Sequence, residues 1–356
     1  RAEELAVLRD AFEESRAEPV VVLVEGASGL GKSELAARFV EALRGDSPAT
    51  VVLSGRCYER DSVAFKAFDG LVDELSRYLV QLPKDAAAAL MPMRAALLPR
   101  LFPVLQRVEA IAAAPPEDEP SDAQELRRQV FGALRELLVR LSKRARLVLS
   151  IDDLQWADRD SLPPPQEGLR HPTNPPRALL VATMRPVEAE LAAQLATSLR
   201  GPRTRTITLG PLGVEDTRAL AAALAPSADD ASVDAIVREA AGYPLFVMEL
   251  ARHVAIAEPR AQGVDLDAAL WARISVLPAE LLAVLEVVCT ASARLTQEMA
   301  AHAAELSHDA LFRAAATLRS AHLVRTTGVH PSDLIEPYHD RIRETVDRHL
   351  SPSRRR

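Results

Sequence analysis

The chain has 356 residues, 48% of them hydrophobic and 26% charged, which excludes an intrinsically disordered protein and favours two or three folded units. The formal net charge of −7 gives no electrostatic reason to expect nucleic acid or an anionic membrane as a partner. The sequence contains no apolar run of about 18 residues and no signal peptide. The two cysteines, Cys57 and Cys289, match no metal or redox spacing, so we expect buried thiols in a reducing cytoplasm and no membrane partner.

The first fifty residues follow the pattern of a βαβ unit. Residues 3–16 predict an amphipathic helix, and the apolar run PVVVLVE at 19–25 predicts a strand buried on both faces. A helix at 33–44 and a second buried strand at 50–54 follow. This order predicts a parallel sheet with a right-handed crossover.

The middle of the chain adds one long helix and three strands. Residues 65–114 predict short helices broken by four prolines, and the polar segment 115–122 predicts a loop. Ser121 or Asp122 is the predicted N-cap of an amphipathic helix at 124–144. Three further buried strands are predicted at 146–153, 178–185 and 205–209.

The second half is predicted to be mainly helical. Residues 214–256 predict three helices, with breaks near Pro226 and at GYP (242–244). Further helices are predicted at 266–276, 279–290, 295–305, 308–320 and 338–350, with short strands at 322–326 and 333–337. Several helices followed by two short strands and a flanking helix indicate a winged-helix domain.

The segment GASGLGKS at 26–33 fits the phosphate-binding pattern G-x-x-x-x-G-K-[ST]. It follows a predicted strand and opens a predicted helix, which is the context that this motif requires. Glycines let backbone N–H groups wrap a phosphate chain, and the helix N-terminus attracts its negative charge. We expect Lys32 to contact the β- and γ-phosphates. The residues expected to bind the nucleotide are Gly26, Ala27, Ser28, Gly29, Leu30, Gly31, Lys32, Ser33 and Glu34.

Two aspartates at the end of the predicted strand 146–153 supply the other half of such a site. Ser33 and Asp152 are the expected Mg²⁺ ligands, with Asp152 acting through water. Asp153 is the expected catalytic group that orients or deprotonates an attacking water. A helix cap or turn is the alternative explanation for this acidic pair. Asp158 precedes a predicted helix and is also explained as its N-cap.

The predicted strand at 178–185 ends in Thr183-Met184-Arg185. In this fold class, the strand inserted between the P-loop strand and the acidic strand ends beside the γ-phosphate. We therefore expect Arg185 to sense that phosphate and to act in catalysis together with Lys32 and Asp153. The alternative is a surface arginine at a strand end.

Several stretches resemble the STAND class of P-loop ATPases, within the larger group of AAA+ relatives. The likeness is to the AAA-type ATPase modules of large bacterial regulators, such as LuxR-type activators and kinase-linked signalling proteins. These stretches are RAEELAVL (1–8), GASGLGKS (26–33), LSIDDLQWAD (149–158), LVATMRP (180–186), GYPLFVMEL (242–250) and, more weakly, EPYHDRIRETV (336–346). The resemblance implies an α/β fold with a parallel five-stranded sheet in a P-loop nucleotide-binding domain at 1–210. A helical lid at 211–262 and a winged helix at 263–356 would follow.

The resemblance also implies roles for residues far from the P-loop. The first stretch is similar to the family's segment that packs by the adenine. Pro244 is implied to contact the nucleotide base, although a plain helix–helix break also explains GYP. His339 lies where the related NB-ARC proteins carry a Met-His-Asp motif whose histidine reaches the β-phosphate of ADP. Here Tyr338 replaces the methionine, and a structural histidine at the start of the last helix is the alternative.

The function that the resemblance implies is a regulatory switch, which binds ATP with Mg²⁺, hydrolyses it slowly and couples the ADP and ATP states to domain packing. Because the chain begins at Arg1, we expect a piece of a longer bacterial protein that contacts other domains and protein partners.

The sequence departs from the family pattern in two places. Residues 163–165 are prolines where a regular helix is expected, and neither Arg159 nor Arg170 is a convincing arginine finger, which weakens the case for a ring-forming motor. An ATP-dependent oligomer stays among the expected assemblies.

Three alternatives stay open. The first is a DNA-binding transcription regulator that acts through the winged helix. Residues 263–356 contain 11 Arg and Lys against 12 Asp and Glu, a balance that argues against nucleic acid. The second is an oligomeric AAA+ remodelling motor. The third is a non-catalytic scaffold locked by its nucleotide, which differs from the switch only in whether Asp153 supports hydrolysis.

Overall fold

The computed structural model describes residues 1–47, 49–57, 66–117, 122–156, 175–185, 203–256, 265–291, 295–326 and 330–350. The chain forms two compact units. The first comprises Arg1–Gly26, Lys32–Tyr58 and Ser62–Leu209, and the second comprises Ala27–Gly31, Glu59–Asp61 and Gly210–Arg356. Within the described residues, no helix is long and apolar enough to cross a membrane.

The first unit contains a parallel sheet of five strands in the order β2-β3-β4-β1-β5. The strands are β1 (Val20–Glu25), β2 (Thr50–Arg56), β3 (Arg146–Asp152), β4 (Ala178–Met184) and β5 (Thr204–Thr208). β4 is buried along its whole length and lies between β1 and β3, as predicted for the inserted strand. The predicted α/β class with a parallel five-stranded sheet is therefore confirmed. The carboxyl ends of parallel strands meet at one edge, which brings the residues after β1, β3 and β4 together.

The prediction for β3 is wrong by one residue, because the strand ends at Asp152 and does not include Asp153. Asp153 has a φ of 58°, in the left-handed region that an extended strand cannot contain. The chain therefore turns sharply between the two aspartates.

Helices cover the sheet of the first unit, and their breaks follow the prolines that the sequence contains. The helices are α1 (Ala2–Glu14), α2 (Lys32–Asp46), α3 (Lys66–Gln81), α4 (Lys84–Ala88), α5 (Leu98–Leu101), α6 (Glu109–Ala112) and α7 (Ala123–Ser142). Short 3₁₀ turns occupy Ala95–Leu97, Pro103–Arg107 and Leu154–Trp156. Of the two predicted caps of α7, Asp122 accepts hydrogen bonds from the backbone N of Gln124 and Glu125, and Ser121 lies outside the described residues.

The second unit is mainly helical and carries one small sheet. Its helices are α8 (Val214–Leu224), α9 (Asp230–Ala240), α10 (Pro244–Ile256), α11 (Leu266–Ile274), α12 (Ala279–Thr290), α13 (Gln297–Ala303), α14 (His308–Ser320) and α15 (Asp340–His349). An antiparallel sheet in the order β6-β8-β7 joins Leu295–Thr296, Leu334–Pro337 and Val324–Thr326. The sequence predicts β7 and β8 but not β6, because two residues are too short for an alternation pattern.

One hydrophobic cluster runs through the second unit, from Ala221 in α8 to Leu350 after α15. It includes the buried face of α10, where Val247 and Leu250 are fully buried, and Leu285 of α12. The further division of this unit at residue 263 stays a prediction.

Gly242, in the GYP turn before α10, is a position that only glycine fits. Its φ is +78°, and its carbonyl oxygen accepts a hydrogen bond from Leu212 N at 2.8 Å. A Cβ atom here would lie 2.5 Å from the carbonyl oxygen of Leu212 and 2.9 Å from Cβ of Pro211. We expect Gly242→Ala to lower the free energy of unfolding by about 2 kcal/mol or more, because the clash adds to the strain of a left-handed alanine. Urea unfolding of the wild type and the variant measures this difference.

Gly132 on α7 is the matched control, because a Cβ there meets nothing within 4 Å and the position is helical. Gly132→Ala should leave stability unchanged or raise it by about 0.5–1 kcal/mol. Equal effects of the two substitutions would contradict the proposed steric role of Gly242.

Candidate functional site

Lys32 is the first residue of α2 and is buried, with 6% of its surface exposed. Its Nζ donates a hydrogen bond to the carbonyl oxygen of Gly26 at 2.8 Å. Burial lowers the pKa of Lys32 to about 8, and the nearby charge of Arg185 acts in the same direction, while Asp153 and Asp152 oppose it. The lysine predicted to bind phosphate therefore shares its surroundings with the predicted sensor and both predicted acids.

Ser33 and Asp152 form a direct hydrogen bond, although they are 119 residues apart in the sequence. The Ser33 hydroxyl donates to Oδ1 of Asp152 at 2.7 Å, and the hydroxyl of Thr183 donates to the same oxygen at 2.5 Å. Thr183 is the sixth residue of β4 and is 1% exposed. The two predicted Mg²⁺ ligands thus lie together at the carboxyl edge of the sheet.

This pair of oxygen groups fits a Mg²⁺ ion, which prefers oxygen ligands and keeps several waters. Among the described residues, no group of three or more His, Cys, Asp and Glu could hold a metal ion. A magnesium ion at Ser33 and Asp152 would therefore complete its coordination with phosphate oxygens and water, which is how Mg²⁺ binds at nucleotide sites.

Asp153 is held by three hydrogen-bonding contacts despite its left-handed backbone. Its N–H donates to Oγ1 of Thr183 at 3.0 Å. Its Oδ1 accepts from Nε2 of Gln155 at 2.9 Å, and its Oδ2 forms an ion pair with Nη2 of Arg56 at 2.8 Å. A left-handed conformation costs a residue with a Cβ about 1–2 kcal/mol, and such strain is concentrated at functional sites. Positive φ values also occur at Ala241, Glu305 and His322. The three contacts of Asp153, and not its backbone alone, therefore mark it as a site residue.

Three site residues were missed by the sequence reasoning: Arg56, Thr183 and Gln155. Arg56 ends β2, and its Nε also lies 3.6 Å from Oδ2 of Asp152. The sequence does offer one indication of these residues, which is their position at or just after the end of a strand. Polar residues at the ends of adjacent parallel strands lie at one edge of the sheet. The sequence predicts the strand of Arg56 but not that this strand lies next to β3, so it cannot pair Arg56 with the aspartates.

Arg185 follows β4 directly and is partly buried. Its backbone N donates to Oε1 of Gln155 at 3.0 Å. The preceding carbonyl, that of Met184, accepts a hydrogen bond from the N of Gly26 at 3.3 Å. The predicted sensor is thus tied through its backbone to the neighbourhood of Asp153, and its charge acts on Lys32.

The glycine-rich loop 27–31 belongs to the second unit. Gly29 and Gly31 have φ values of +80° and +88°, which glycine adopts without strain. The carbonyl oxygen of Gly29 accepts a hydrogen bond from Leu245 N at 3.3 Å. Oγ of Ser28 is buried and has no hydrogen-bond partner among the described residues. Such an unsatisfied polar atom next to two left-handed glycines fits a loop that binds phosphate.

The remaining loop residues and Pro244 are placed as follows. Leu30 is buried and Ala27 is exposed. The side chain of Glu34 is 67% exposed and forms an ion pair with Arg38 at 2.8 Å. Pro244 is the first residue of α10, and its Cγ lies 3.9 Å from the position that a Cβ on Gly31 would take.

His339 caps α15, since its Nδ1 accepts a hydrogen bond from Arg341 N at 3.2 Å. Its ring packs edge-on against Phe246 and Tyr243, with centroid distances of 4.8 and 5.7 Å. The capping bond requires a neutral imidazole with the proton on Nε2. The structural role that the sequence left open for this histidine is therefore present in the second unit, and its predicted contact with the nucleotide stays a prediction.

Acidification should remove the His339 cap. Burial lowers the pKa of His339, with Asp340 acting in the opposite direction. The folded protein therefore resists protonation, so stability is complete above the unfolded-state pKa, about 6.5, and is lost as the pH falls through the folded-state value. We expect the free energy of unfolding to fall between pH 7 and pH 5, including about 1 kcal/mol for the lost cap.

Urea unfolding of the wild type and of His339→Asn at both pH values measures this loss. Asparagine caps helices without titrating near neutral pH, so the variant should be less stable at pH 7 but less sensitive to pH. The same pH dependence in both proteins would contradict the assignment.

The fold and these contacts define a P-loop ATPase module of the α/β class. The family model of the AAA ATPase domain matches residues 1–181, which is half of the chain, and the chain belongs to this family. No curated protein matches the chain.

Solved structures show distant likenesses. A Signal Transduction ATPase with Numerous Domains (STAND) protein with a tetratricopeptide repeat sensor from Pyrococcus horikoshii is 13% identical, with a TM-score of 0.42 over 99% of this chain and 43% of that one. The Orc1 protein of Aeropyrum pernix, solved in complex with DNA, is 14% identical, with a TM-score of 0.42 over 98% and 92%. The RuvB Holliday junction branch migration motor of Thermotoga maritima is 15% identical, with a TM-score of 0.39 over 94% and 92%. The chain thus spans less than half the length of the STAND protein.

Proposed function

We propose that this chain is the regulatory ATPase module of a larger bacterial signalling protein of the STAND class, and that it binds ATP and hydrolyses it slowly. The observation that carries the proposal is the 2.7 Å hydrogen bond between Ser33 of the P-loop and Asp152 of the acidic strand, in a chain that belongs to the AAA ATPase domain family. The hydroxyl of Ser33 and the carboxylate of Asp152 are both oxygen groups, which are the ligands that Mg²⁺ prefers.

Binding would replace internal hydrogen bonds of the site by bonds to phosphate. Lys32 would exchange its contact with the carbonyl of Gly26 for the β- and γ-phosphates, which satisfies a buried ammonium with a charged acceptor. Backbone N–H groups of the loop 27–31 and the N-terminus of α2 would bind the same oxygens. Ser33 and Asp152 would hold Mg²⁺, which supplies neutralisation of the phosphate charge when bound.

Hydrolysis would use Asp153 as the base. It takes a proton from the attacking water while the water oxygen bonds to the γ-phosphorus and the bond from that phosphorus to the β–γ bridging oxygen breaks. ADP and phosphate are the products. Arg185 would stabilise the charge on the γ-phosphate, and the release of that phosphate would be what it senses.

The switch part of the proposal rests on the loop 27–31 and its partner Leu245. A loop whose conformation depends on the bound nucleotide would change its contact with the start of α10, where Leu245 N binds Gly29. His339 contacts Tyr243 and Phe246 of the same region, which extends this effect to α15. Each nucleotide would then favour one arrangement by the difference in its affinity for the two.

Hydrogen exchange in saturating Mg·ADP and in Mg²⁺ with a non-hydrolysable ATP analogue tests the switch. We expect different protection in residues 242–250 and 338–349, and equal protection in the core strands β1 and β4. Identical exchange in the two nucleotides throughout the chain would contradict a switch while leaving an ATPase intact.

We further propose that residues 211–262 act as a lid and that residues 263–356 are a winged helix. The order α12, β6, α13, α14, β7, β8 supports the second assignment, because a helix, a short strand, two helices and a hairpin are the elements of that fold. The balanced charge of this segment, 11 basic against 12 acidic residues, favours protein partners over nucleic acid.

A further inference from the structure

Gln155 lies two residues after Asp153, in the 3₁₀ turn Leu154–Trp156. It is only 9% exposed. Both ends of its amide are used, since Nε2 donates to Oδ1 of Asp153 at 2.9 Å and Oε1 accepts from the backbone N of Arg185 at 3.0 Å. A buried amide with both ends satisfied is a rigid connection between the two groups that it joins.

The chemistry of the two partners fixes the orientation of this amide. A backbone N–H such as that of Arg185 can only donate, so the oxygen of Gln155 must face it. The amide nitrogen then faces the carboxylate of Asp153, which only accepts. Turning the amide over would break both bonds. Leucine in this place would lose both of them, and glutamate would keep only the bond to Arg185.

Asp153 depends on this connection more than on its other side-chain partner. The ion pair with Arg56 comes from a side chain that is 55% exposed, and exposed ion pairs contribute little. The bond from Gln155 is charge-assisted and comes from a buried donor, so it restrains the carboxylate more strongly.

We propose that Gln155 is a positioning residue that fixes the carboxylate of Asp153 and couples it to the backbone of the predicted sensor, Arg185. The proposal rests on the proposed function, in which Asp153 is the base. In this role Gln155 acts on the reaction only through Asp153. A shift of Arg185, such as phosphate release would cause, reaches the carboxylate of Asp153 through the Gln155 side chain, while Thr183 of β4 contacts Asp153 only at its backbone N–H.

The first test is the ATP turnover of Gln155→Leu and Gln155→Glu in the full chain, measured as kcat alongside the Kd for Mg·ATP. We expect kcat to fall by about 10–100-fold in both variants, since a displaced catalytic group loses about this much. Gln155→Glu should not recover activity by keeping the bond to Arg185, because its carboxylate repels Asp153. The Kd for ATP should stay within about threefold of the wild-type value in both, because no binding residue is changed.

Gln129→Leu is the matched control. Gln129 on α7 also donates its amide to a carboxylate, that of Glu125 at 2.7 Å, but away from the site. Its replacement should leave both kcat and Kd unchanged. Wild-type turnover in both Gln155 variants would overturn the proposal, and so would loss of ATP binding in both, since Gln155 would then serve the fold of the site rather than the position of the base.

A double-mutant cycle with Asp153→Asn separates this proposal from the proposed function. If Gln155 acts only through Asp153, Gln155→Leu should cause no further loss of kcat once Asp153 is asparagine. Additive losses would overturn the positioning role and leave the base assignment standing. Wild-type turnover in Asp153→Asn alone would overturn the base assignment and, with it, the role of Gln155.

Discussion

Lys32→Ala is expected to weaken the binding of both ATP and ADP by about 100-fold or more. Lys32 is buried, and its amino group donates a hydrogen bond to the carbonyl oxygen of Gly26. A charge-assisted hydrogen bond contributes about 1.5–3 kcal/mol, and the upper part of this range corresponds to about 100-fold in affinity. Titration calorimetry with Mg·ATP and Mg·ADP measures the two dissociation constants.

Lys84→Ala provides the control for a lysine of the same unit that has no role in the site. The side chain of Lys84 is 80% exposed and pairs with Glu109. Its loss should leave both affinities unchanged. Nucleotide affinity that survives in Lys32→Ala would show that GASGLGKS is a glycine-rich turn without a phosphate-binding role.

Asp153→Asn is expected to keep ATP bound and to lower its hydrolysis by about 10²–10⁴-fold, the usual contribution of a general base. Asparagine is well suited to this test because it tolerates the left-handed conformation of this position better than most residues with a Cβ. The substitution therefore removes the proton acceptor with little change to the backbone. Single-turnover hydrolysis of radiolabelled ATP and an equilibrium binding measurement separate the two effects.

Two outcomes would count against Asp153 as the base. Unchanged turnover with normal binding would mean that another group accepts the proton, or that none is needed. Loss of ATP binding would mean that Asp153 belongs to the ligand-binding set together with Asp152. Fast ATP hydrolysis by the wild-type chain would instead contradict the proposal that this module is a switch with slow turnover.

The sequence predicts the sheet well because its strands are short, apolar and bounded by breakers. β1 and β4 are buried almost throughout, and their runs of Val, Leu and Ala carry that pattern without ambiguity. β6 escapes prediction because its two residues, Leu295 and Thr296, merge with the helix that follows. In the structure Thr296 is the N-cap of that helix and accepts from Met299 N at 3.2 Å.

The sequence predicts only those site residues that belong to a short, continuous sequence motif. Lys32 and Ser33 come from the P-loop pattern, and Asp152 and Asp153 come from the acidic end of an apolar strand. Arg56 joins the site because β2 lies next to β3, a neighbour relation that the sequence does not contain. Thr183 lies on the strand that is predicted between the P-loop strand and the acidic strand, but the prediction there concerns Arg185 and not the threonine. Gln155 follows a turn at Asp153, whose φ is 58°. An aspartate in the sequence does not by itself predict a left-handed residue, so the contact between Gln155 and Asp153 is not predictable.

Parts of the predicted site lie outside the described residues. Asp158, Arg159, Arg170 and the prolines at 163–165 are among them. The predictions that Pro244 contacts the base and that His339 reaches a phosphate stay predictions. For His339, the capping bond and the ring contacts already explain why a histidine is present.

The nucleotide that the purified chain carries tests most directly whether this module is an ADP and ATP switch. The protein is denatured, and the released small molecules are separated by chromatography and quantified against protein. We predict close to one ADP per chain, replaced by ATP when the folded protein is incubated with Mg·ATP. A chain that releases no nucleotide, and that binds neither ATP nor ADP when Mg²⁺ is supplied, would contradict nucleotide binding, on which the proposed hydrolysis and the proposed switch both depend.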